Sequence, residues 1–202
     1  MRRIVIATRN TKKLAELRRI LAAEIPGIDV LGLDDVEPFE EPPEIEATFE
    51  GNALIKARAA AAATGLPTLA DDSGICVDIL NGMPGVLSAR WSGAPRDDER
   101  NNQLLLAQLA DLPDERRHAE FRCAVAFVQP DGEEIIEIGV MRGRILPEPR
   151  GQGGFGYDPL FIADGQAVSN AELPAGEKDR VSHRGRALRD IVPAVATALR
   201  AR

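Results

Sequence analysis

Two spacings of apolar residues, every second and every third or fourth position, alternate along this chain and mark out its elements. Arg3 to Ala7 (RIVIA) reads as a buried opening strand, after which Leu14, Leu17, Ile20 and Leu21 recur at helical spacing as far as Glu24. Asp29 to Leu33 predicts a second strand, followed by an acidic, proline-bearing loop holding Glu37, Glu40, Glu41, Glu44 and Glu46. The alanine-rich stretch TFEGNALIKARAAAAA predicts a long helix, capped by Thr48 and stopped at Gly65 and Pro67. Thr68 to Ala70 reads as a short strand ending in Asp71-Asp72-Ser73-Gly74. A Gly- and Pro-rich loop from Gly82 to Gly93 precedes a helix over Asp97 to Leu109. Ala119 to Val128 and Glu133 to Gly143 flank Pro130-Asp131-Gly132 and predict a β-hairpin. After a glycine cluster, Gly151 to Gly156, come a short strand near Leu160 to Ile162 and a closing helix from Ser182 to Ala201 containing Pro193.

No internal repeat and no linker divides this pattern, which describes one α/β domain over residues 1–202, with two lobes facing a cleft. Composition agrees: of 202 residues, 44% are hydrophobic and 28% charged, which excludes intrinsic disorder. No run approaches the ~20 apolar residues of a membrane span, and the opening MRRIVIATRN has too short an apolar stretch for a signal peptide, so a cytoplasmic protein is expected. A formal net charge of -7 argues against nucleic acid or an anionic membrane as partner, though not against a small anionic ligand. Cys76 and Cys123 lie far apart between apolar neighbours and read as two buried thiols, without a zinc or disulfide pattern.

Candidate chemistry lies at the ends of these elements. Thr8-Arg9-Asn10-Thr11-Lys12-Lys13 joins the first strand to the first helix, where backbone N–H groups, a hydroxyl, an amide and ammonium groups make either a phosphate grip or an ordinary capped turn. The segment lacks the glycines of a P-loop. Asp71 and Asp72, following an apolar strand, are either solvated turn residues or hard oxygen ligands for Mg²⁺, one holding the metal while the other orients a nucleophile. A glutamate of the 37–46 loop could complete that site, though such a loop also reads as a solvated charged segment. Lys56, alone within a helix, reads first as a surface residue. Gly151 to Gly156 matches G-x-G-x-x-G but follows Pro147-Glu148-Pro149-Arg150 and opens no helix, which rules out a Rossmann fingerprint. Its neighbours Phe155 and Tyr157, two of only eight aromatic residues, could stack a base; otherwise Phe155 plugs the loop into the core. Lys178 and Ser182-His183-Arg184 offer donors at the last helix, or else a capping serine beside exposed His and Arg. There is no G-x-S-x-G elbow for a serine nucleophile and no glutamate-rich Nudix helix.

Taken in order, TRNTKK (8–13) with Glu16, TFEGNALIKA (48–57), LADDSG (69–74), PGVLSARWSG (84–93), GGFGYDPLF (153–161) and EK with SHRGRAL (177–188) resemble the inosine triphosphate pyrophosphatase family over nearly the whole chain. The wording fits that family better than the related Maf-type nucleotide pyrophosphatases. A catalytically silent nucleotide-binding regulator would need only the base pocket. The resemblance implies a two-lobed α/β fold, with a long twisted mixed sheet flanked by helices and a central substrate cleft. It implies Mg²⁺-dependent hydrolysis of ITP, dITP and XTP to monophosphate and pyrophosphate by a homodimer, cleansing the nucleotide pool. Thr8, Asn10 and Lys13, with Arg9, Thr11, Lys12 and Lys56 beside them, would hold the triphosphate. Asp72 would be the metal ligand and proton acceptor, Asp71 and Glu44 (or Glu41) would complete the metal site, and Ser73 would touch substrate. Phe155, Gly156, Tyr157, Asp158, Lys178, His183 and Arg184 would surround the purine. Glu46 stands where family members commonly carry glycine. Converging donors would favour a base with oxygen at C6 over adenine, which presents an amino group there. Lys12, Lys13, Lys56 and Lys178 are the only lysines among 25 basic residues, and all four fall inside or beside these motifs.

Overall fold

The computed structural model describes residues 2–200. Its elements are β1 (Arg3–Ile6), α1 (Thr11–Glu24), β2 (Asp29–Leu31), α2 (Phe49–Thr64), β3 (Thr68–Val77), α3 (Asp98–Gln108), β4 (His118–Val128), β5 (Glu134–Ile145), β6 (Phe161–Ala163), α4 (Ala175–Val181) and α5 (His183–Ala198). The strands form a six-stranded sheet in the order β2-β1-β3-β4-β5-β6. β1 pairs in parallel with β2 and β3, and β5 antiparallel with β6, so the α/β fold carries the mixed sheet that the resemblance implied. Among the described residues, no helix is long and apolar enough to cross a membrane.

The chain separates into two compact units, each assembled from discontinuous segments. The first takes the described parts of Met1–Asp72, Cys123–Gly139 and Arg184–Arg202. Its core joins Ile4 and Ile6 of β1, Leu17, Ile20 and Leu21 of α1, Leu69 of β3, Cys123, Val125 and Phe127 of β4, and Leu188, Ile191 and Val195 of α5. The period-two set on β4 and the helical sets on α1 and α5 are the patterns that bury one face of each element. Val5 is as buried as Ile4 and Ile6, as befits a parallel strand covered on both faces. Helix α2 buries Phe49, Ala53, Ala57, Ala60 and Ala61 on one stripe. Thr48 accepts the Gly51 N–H at its start, and Gly65 closes its end in the left-handed region (φ 65°).

The second unit, Ser73–Arg122 with Val140–His183, has its own core of Ile75 and Val77, Leu105 and Leu109, Phe121, Met141 and Ile145, Tyr157, Leu160 and Phe161. Phe121 and Phe161 meet edge to face with centroids 4.9 Å apart. Arg117 is 3% exposed and has four backbone carbonyls as acceptors: Nε donates to Ile145 O (3.1 Å), Nη1 to Leu109 O (2.7 Å) and Leu112 O (3.5 Å), and Nη2 to Leu146 O (3.0 Å).

Four expectations are corrected. β3 does not stop at Ala70 but continues through Asp71-Asp72-Ser73-Gly74 to Val77, because the two aspartates find buried partners and need no water. A Cβ on Gly74 would lie 2.3 Å from Gly85 O and 2.4 Å from Ser88 Oγ; only glycine lets the 85–88 turn close onto the strand, where Ser88 Oγ accepts the Ile75 N–H. β2 ends at Leu31 because the Gly32 N–H turns to Asp35 Oδ2 (2.8 Å) and opens a 3-10 turn. The closing helix is α5, which begins at His183 after Ser182 in an extended conformation and ends at Ala198, and a short helix not expected from the sequence, α4, precedes it; Ala201 lies outside the described residues. Cys123 is buried, whereas Cys76 is only half-buried, with its thiol pushed up to about 11 by burial.

Replacing Arg117 with Met removes the guanidinium donors from four carbonyls, of which Leu109 O keeps the Leu112 N–H. The variant is expected to lose about 2–4 kcal/mol of stability in urea denaturation, with an unchanged m-value.

Candidate active site

The two aspartates that β3 carries into the first unit differ in their surroundings. Asp71, whose side chain has no solvent exposure, accepts Lys13 Nζ at 2.9 Å and Arg184 Nε at 3.1 Å, with the Cys123 thiol 3.8 Å from the same oxygen. Arg184 Nη1 reaches Glu16 Oε2 at 2.5 Å, so two cations and two carboxylates alternate within the core. Burial alone would raise the Asp71 carboxyl, but Lys13, Arg184 and Lys56 outweigh it and hold that group far below the usual carboxylate range. The opposite holds next door: burial first, then the charge of Glu44, pushes Asp72 up against the pull of Lys56 and Lys13.

Lys56 is not the surface residue that its position in a helix suggests. Its Nζ donates to the backbone carbonyl of Asp71 (2.7 Å) and to Glu44 Oε1 (2.8 Å), and these anions keep its ammonium charged despite burial. The acidic loop is likewise more than a solvated charge run. Arg9, itself exposed, ties Asp34 (2.6 Å) and Glu41 (2.7 Å), which spends Glu41 on a bridge and leaves Glu44 as the loop carboxylate beside Asp72. Asn10 caps α1, its Oδ1 accepting the N–H groups of Lys12 and Lys13, while the Thr8 hydroxyl accepts the Asn10 N–H. The 8–13 segment is therefore a capped turn that also delivers an ammonium, Lys13; Thr11 and Lys12 stand exposed.

Among the described residues, no three His, Cys, Asp or Glu side chains are gathered as a metal cage. Asp71 is committed to its cations. Glu44, paired with Lys56, and Asp72, pushed up by burial and then by Glu44, are two hard carboxylates that fit a Mg²⁺ ion taking its other ligands from water and phosphate.

In the second unit the glycine loop is folded by Asp158 rather than by its own sequence. Asp158 accepts the Phe155 N–H (2.8 Å), Asn170 Nδ2 (3.3 Å) and Lys178 Nζ (2.6 Å). Gly154 adopts φ 68°, and a Cβ there would sit 2.2 Å from Asp158 Oδ2. Asp98 and Asn102, one turn apart on α3, hold Gly156 by its N–H (2.8 Å) and its carbonyl (3.0 Å). The aromatic that plugs the loop into the core is Tyr157, 4% exposed with its hydroxyl donating to Ser88 O, not Phe155. Phe155 stays half-buried with Lys178 Nζ 4.7 Å from its ring centroid. His183 and Arg184 are not an exposed pair. His183 is buried and stacks on Phe121, centroids 4.8 Å apart at 12°. Arg184, belonging to the first unit, is buried and donates to Asp71 and Glu16 as a member of the ion cluster. Ser73 is half-buried on β3.

Sequence reasoning did not assign roles to Asn52, Asn102, Asn170 or Glu16. Asn52 and Glu16 sit within or beside quoted motifs, and a carboxylate or amide on the apolar face of a helix was the available signal. Arg184→Met leaves Glu16 buried without its cation. A loss of about 3–5 kcal/mol is expected in chemical denaturation, and salt will not offset it because the cluster is shielded from solvent.

The model of the Ham1 family matches residues 4–194. A dITP/XTP pyrophosphatase of Nocardia farcinica is 61% identical over 97% of this chain and 96% of its own length, and one of Mycolicibacterium paratuberculosis is 60% identical over 98% of both. Among solved structures, a HAM1 protein from Coxiella burnetii superposes with a TM-score of 0.87 at 39% identity, covering 98% of this chain and all of that one. A nucleoside-triphosphatase, also described as a dITP/XTP pyrophosphatase, from Mycobacterium abscessus gives 0.76 at 55% identity over 95% and 99%. Matched nearly end to end by the family model and by relatives of such identity, the chain belongs to the Ham1 family.

Proposed function

We propose that this chain is a nucleoside triphosphate pyrophosphatase that hydrolyses dITP, XTP and ITP to the monophosphate and pyrophosphate, acting as a homodimer in the cytoplasm. The likeness to relatives named dITP/XTP pyrophosphatase supports the reaction. The observation that carries it onto this chain's own residues is the convergence of two lysines, Lys13 and Lys56, on the carboxylate and the carbonyl of Asp71, beside the next residue of the strand, Asp72, whose carboxyl burial pushes up.

In this reading Lys13 and Lys56 bind the triphosphate and offset the charge that develops on departing pyrophosphate. Both ammonium groups are anchored by Asp71, through its carboxylate and its carbonyl respectively, so they are positioned before substrate arrives. Asp72 orients the attacking water toward the α-phosphorus and accepts its proton, a task suited to a carboxylate whose environment favours protonation. Mg²⁺, held by Glu44 and Asp72, would supply charge neutralisation on the phosphate oxygens. The half-exposed ring of Phe155 stacks the purine. Lys178, held by Asp158 beside the Phe155 ring, offers donors to a C6 oxygen. Adenine would leave such donors unpaired, at about 1–3 kcal/mol each.

Pyrophosphate release from dITP, XTP, ITP, GTP and ATP, assayed side by side, is the test. Turnover of the first three should exceed that of ATP by at least about tenfold, and EDTA should abolish it. Asp72→Asn should cut kcat by about 100-fold or more with an unchanged circular dichroism spectrum. Equal rates on ATP and dITP, or near wild-type turnover by Asp72→Asn, would overturn the assignment.

A further inference from the structure

Asn52 lies on α2, has no solvent exposure, and makes three hydrogen bonds with its amide. Its Oδ1 accepts the backbone N–H of Glu46 at 2.9 Å, and its Nδ2 donates to the backbone carbonyl of Glu46 at 3.3 Å and to Asp72 Oδ2 at 3.1 Å. One amide thus joins the end of the acidic loop, two residues from Glu44, to the β3 carboxylate.

The orientation of this amide is not arbitrary. An amide oxygen cannot donate and an amide NH₂ cannot accept, so the Glu46 N–H can be answered only by Oδ1. With Oδ1 committed there, the NH₂ group must face Asp72, and Asp72 Oδ2 must act as an acceptor. The loop backbone therefore dictates the polarity of the bond on the catalytic carboxylate. A flipped amide would oppose Oδ1 to Asp72 and leave the Glu46 N–H without its acceptor.

We propose that Asn52 is a positioning residue that couples the acidic loop to Asp72: by holding the loop at Glu46 and pinning one oxygen of Asp72 as an acceptor, it fixes the carboxylate's orientation toward the attacking water. This rests on the role given to Asp72 above. The three bonds of the Asn52 amide go to Glu46 and Asp72 and none to Lys13 or Lys56, so its removal bears on the chemical step more than on triphosphate binding.

Two substitutions and one measurement on the parent protein test the coupling. Hydrogen exchange of the Glu46 amide in the parent protein, without nucleotide, should be protected; an unprotected amide overturns the proposal whatever the activity. Asn52→Ala should release that amide and lower kcat by about 10- to 100-fold while KM for dITP changes less than about threefold. Asn52→Asp keeps an acceptor for Glu46 but presents a carboxylate to Asp72, so Glu46 stays protected while kcat still falls at least about tenfold. If Asn52→Asp retains parental kcat with Glu46 protected, Asn52 is a loop anchor only and the proposal fails. A rise in KM matching the fall in kcat, or a fall in kcat that merely tracks the folded fraction, also overturns it. Absence of turnover by the parent enzyme would instead sink the assigned reaction, leaving the exchange result to stand by itself.

Discussion

A carboxylate without solvent exposure in the middle of a strand must be answered by cations, and the first unit is organised around the answers that Asp71 receives. Lys13 comes from the first turn of α1, Arg184 from the first turn of α5, and Lys56 from the middle of α2 onto the carbonyl of the same residue. Three helices are thereby indexed to one residue of β3. The indexing also explains why Glu16 is tolerated on the buried face of α1, since it completes the charge balance of Arg184. Asp72 inherits the arrangement. It accepts an amide N–H, and burial pushes its carboxyl up against the pull of Lys56 and Lys13, which suits a proton acceptor better than a structural anion.

Much of the fold was legible because it depends on local patterns. RIVIA, the Leu14–Leu21 spacing and the Thr48 and Gly65 caps placed β1, α1 and α2 within a residue or two. What misled was polarity read without partners. Asp71-Asp72-Ser73-Gly74 has the composition of a turn, yet it continues a strand because the cations at positions 13, 56 and 184 and the amide at 52 that answer the aspartates come from outside any local window. For the same reason Lys56 read as surface, and His183 and Arg184 as an exposed pair.

The candidate site divides along the same line. Residue types singled out the 8–13 turn, the aspartate pair and the glycine loop as candidates. Their division of labour depended on geometry: Asn10 caps, Arg9 bridges, Tyr157 fills the core and Arg184 balances charge. The asparagines carried the least signal and bear much of the positioning, because an amide is useful by the direction of its two ends, which sequence does not display. In the second unit Asn102 and Asn170 act in the same way on Gly156 and Asp158.

The near-absence of lysine has a consequence beyond phosphate binding. Lys13, Lys56 and Lys178 keep only 15%, 18% and 9% of their side chains in contact with solvent, leaving Lys12 as the one exposed lysine among the described residues. Positive charge on the surface is otherwise carried by guanidinium groups such as those of Arg9, Arg58 and Arg142. These resist deprotonation and do not react as amines. Acylation, glycation or any other amine-directed modification thus meets almost no substrate on the outside of this protein, while the ammonium groups that matter are held where such reagents must compete with buried ion pairs.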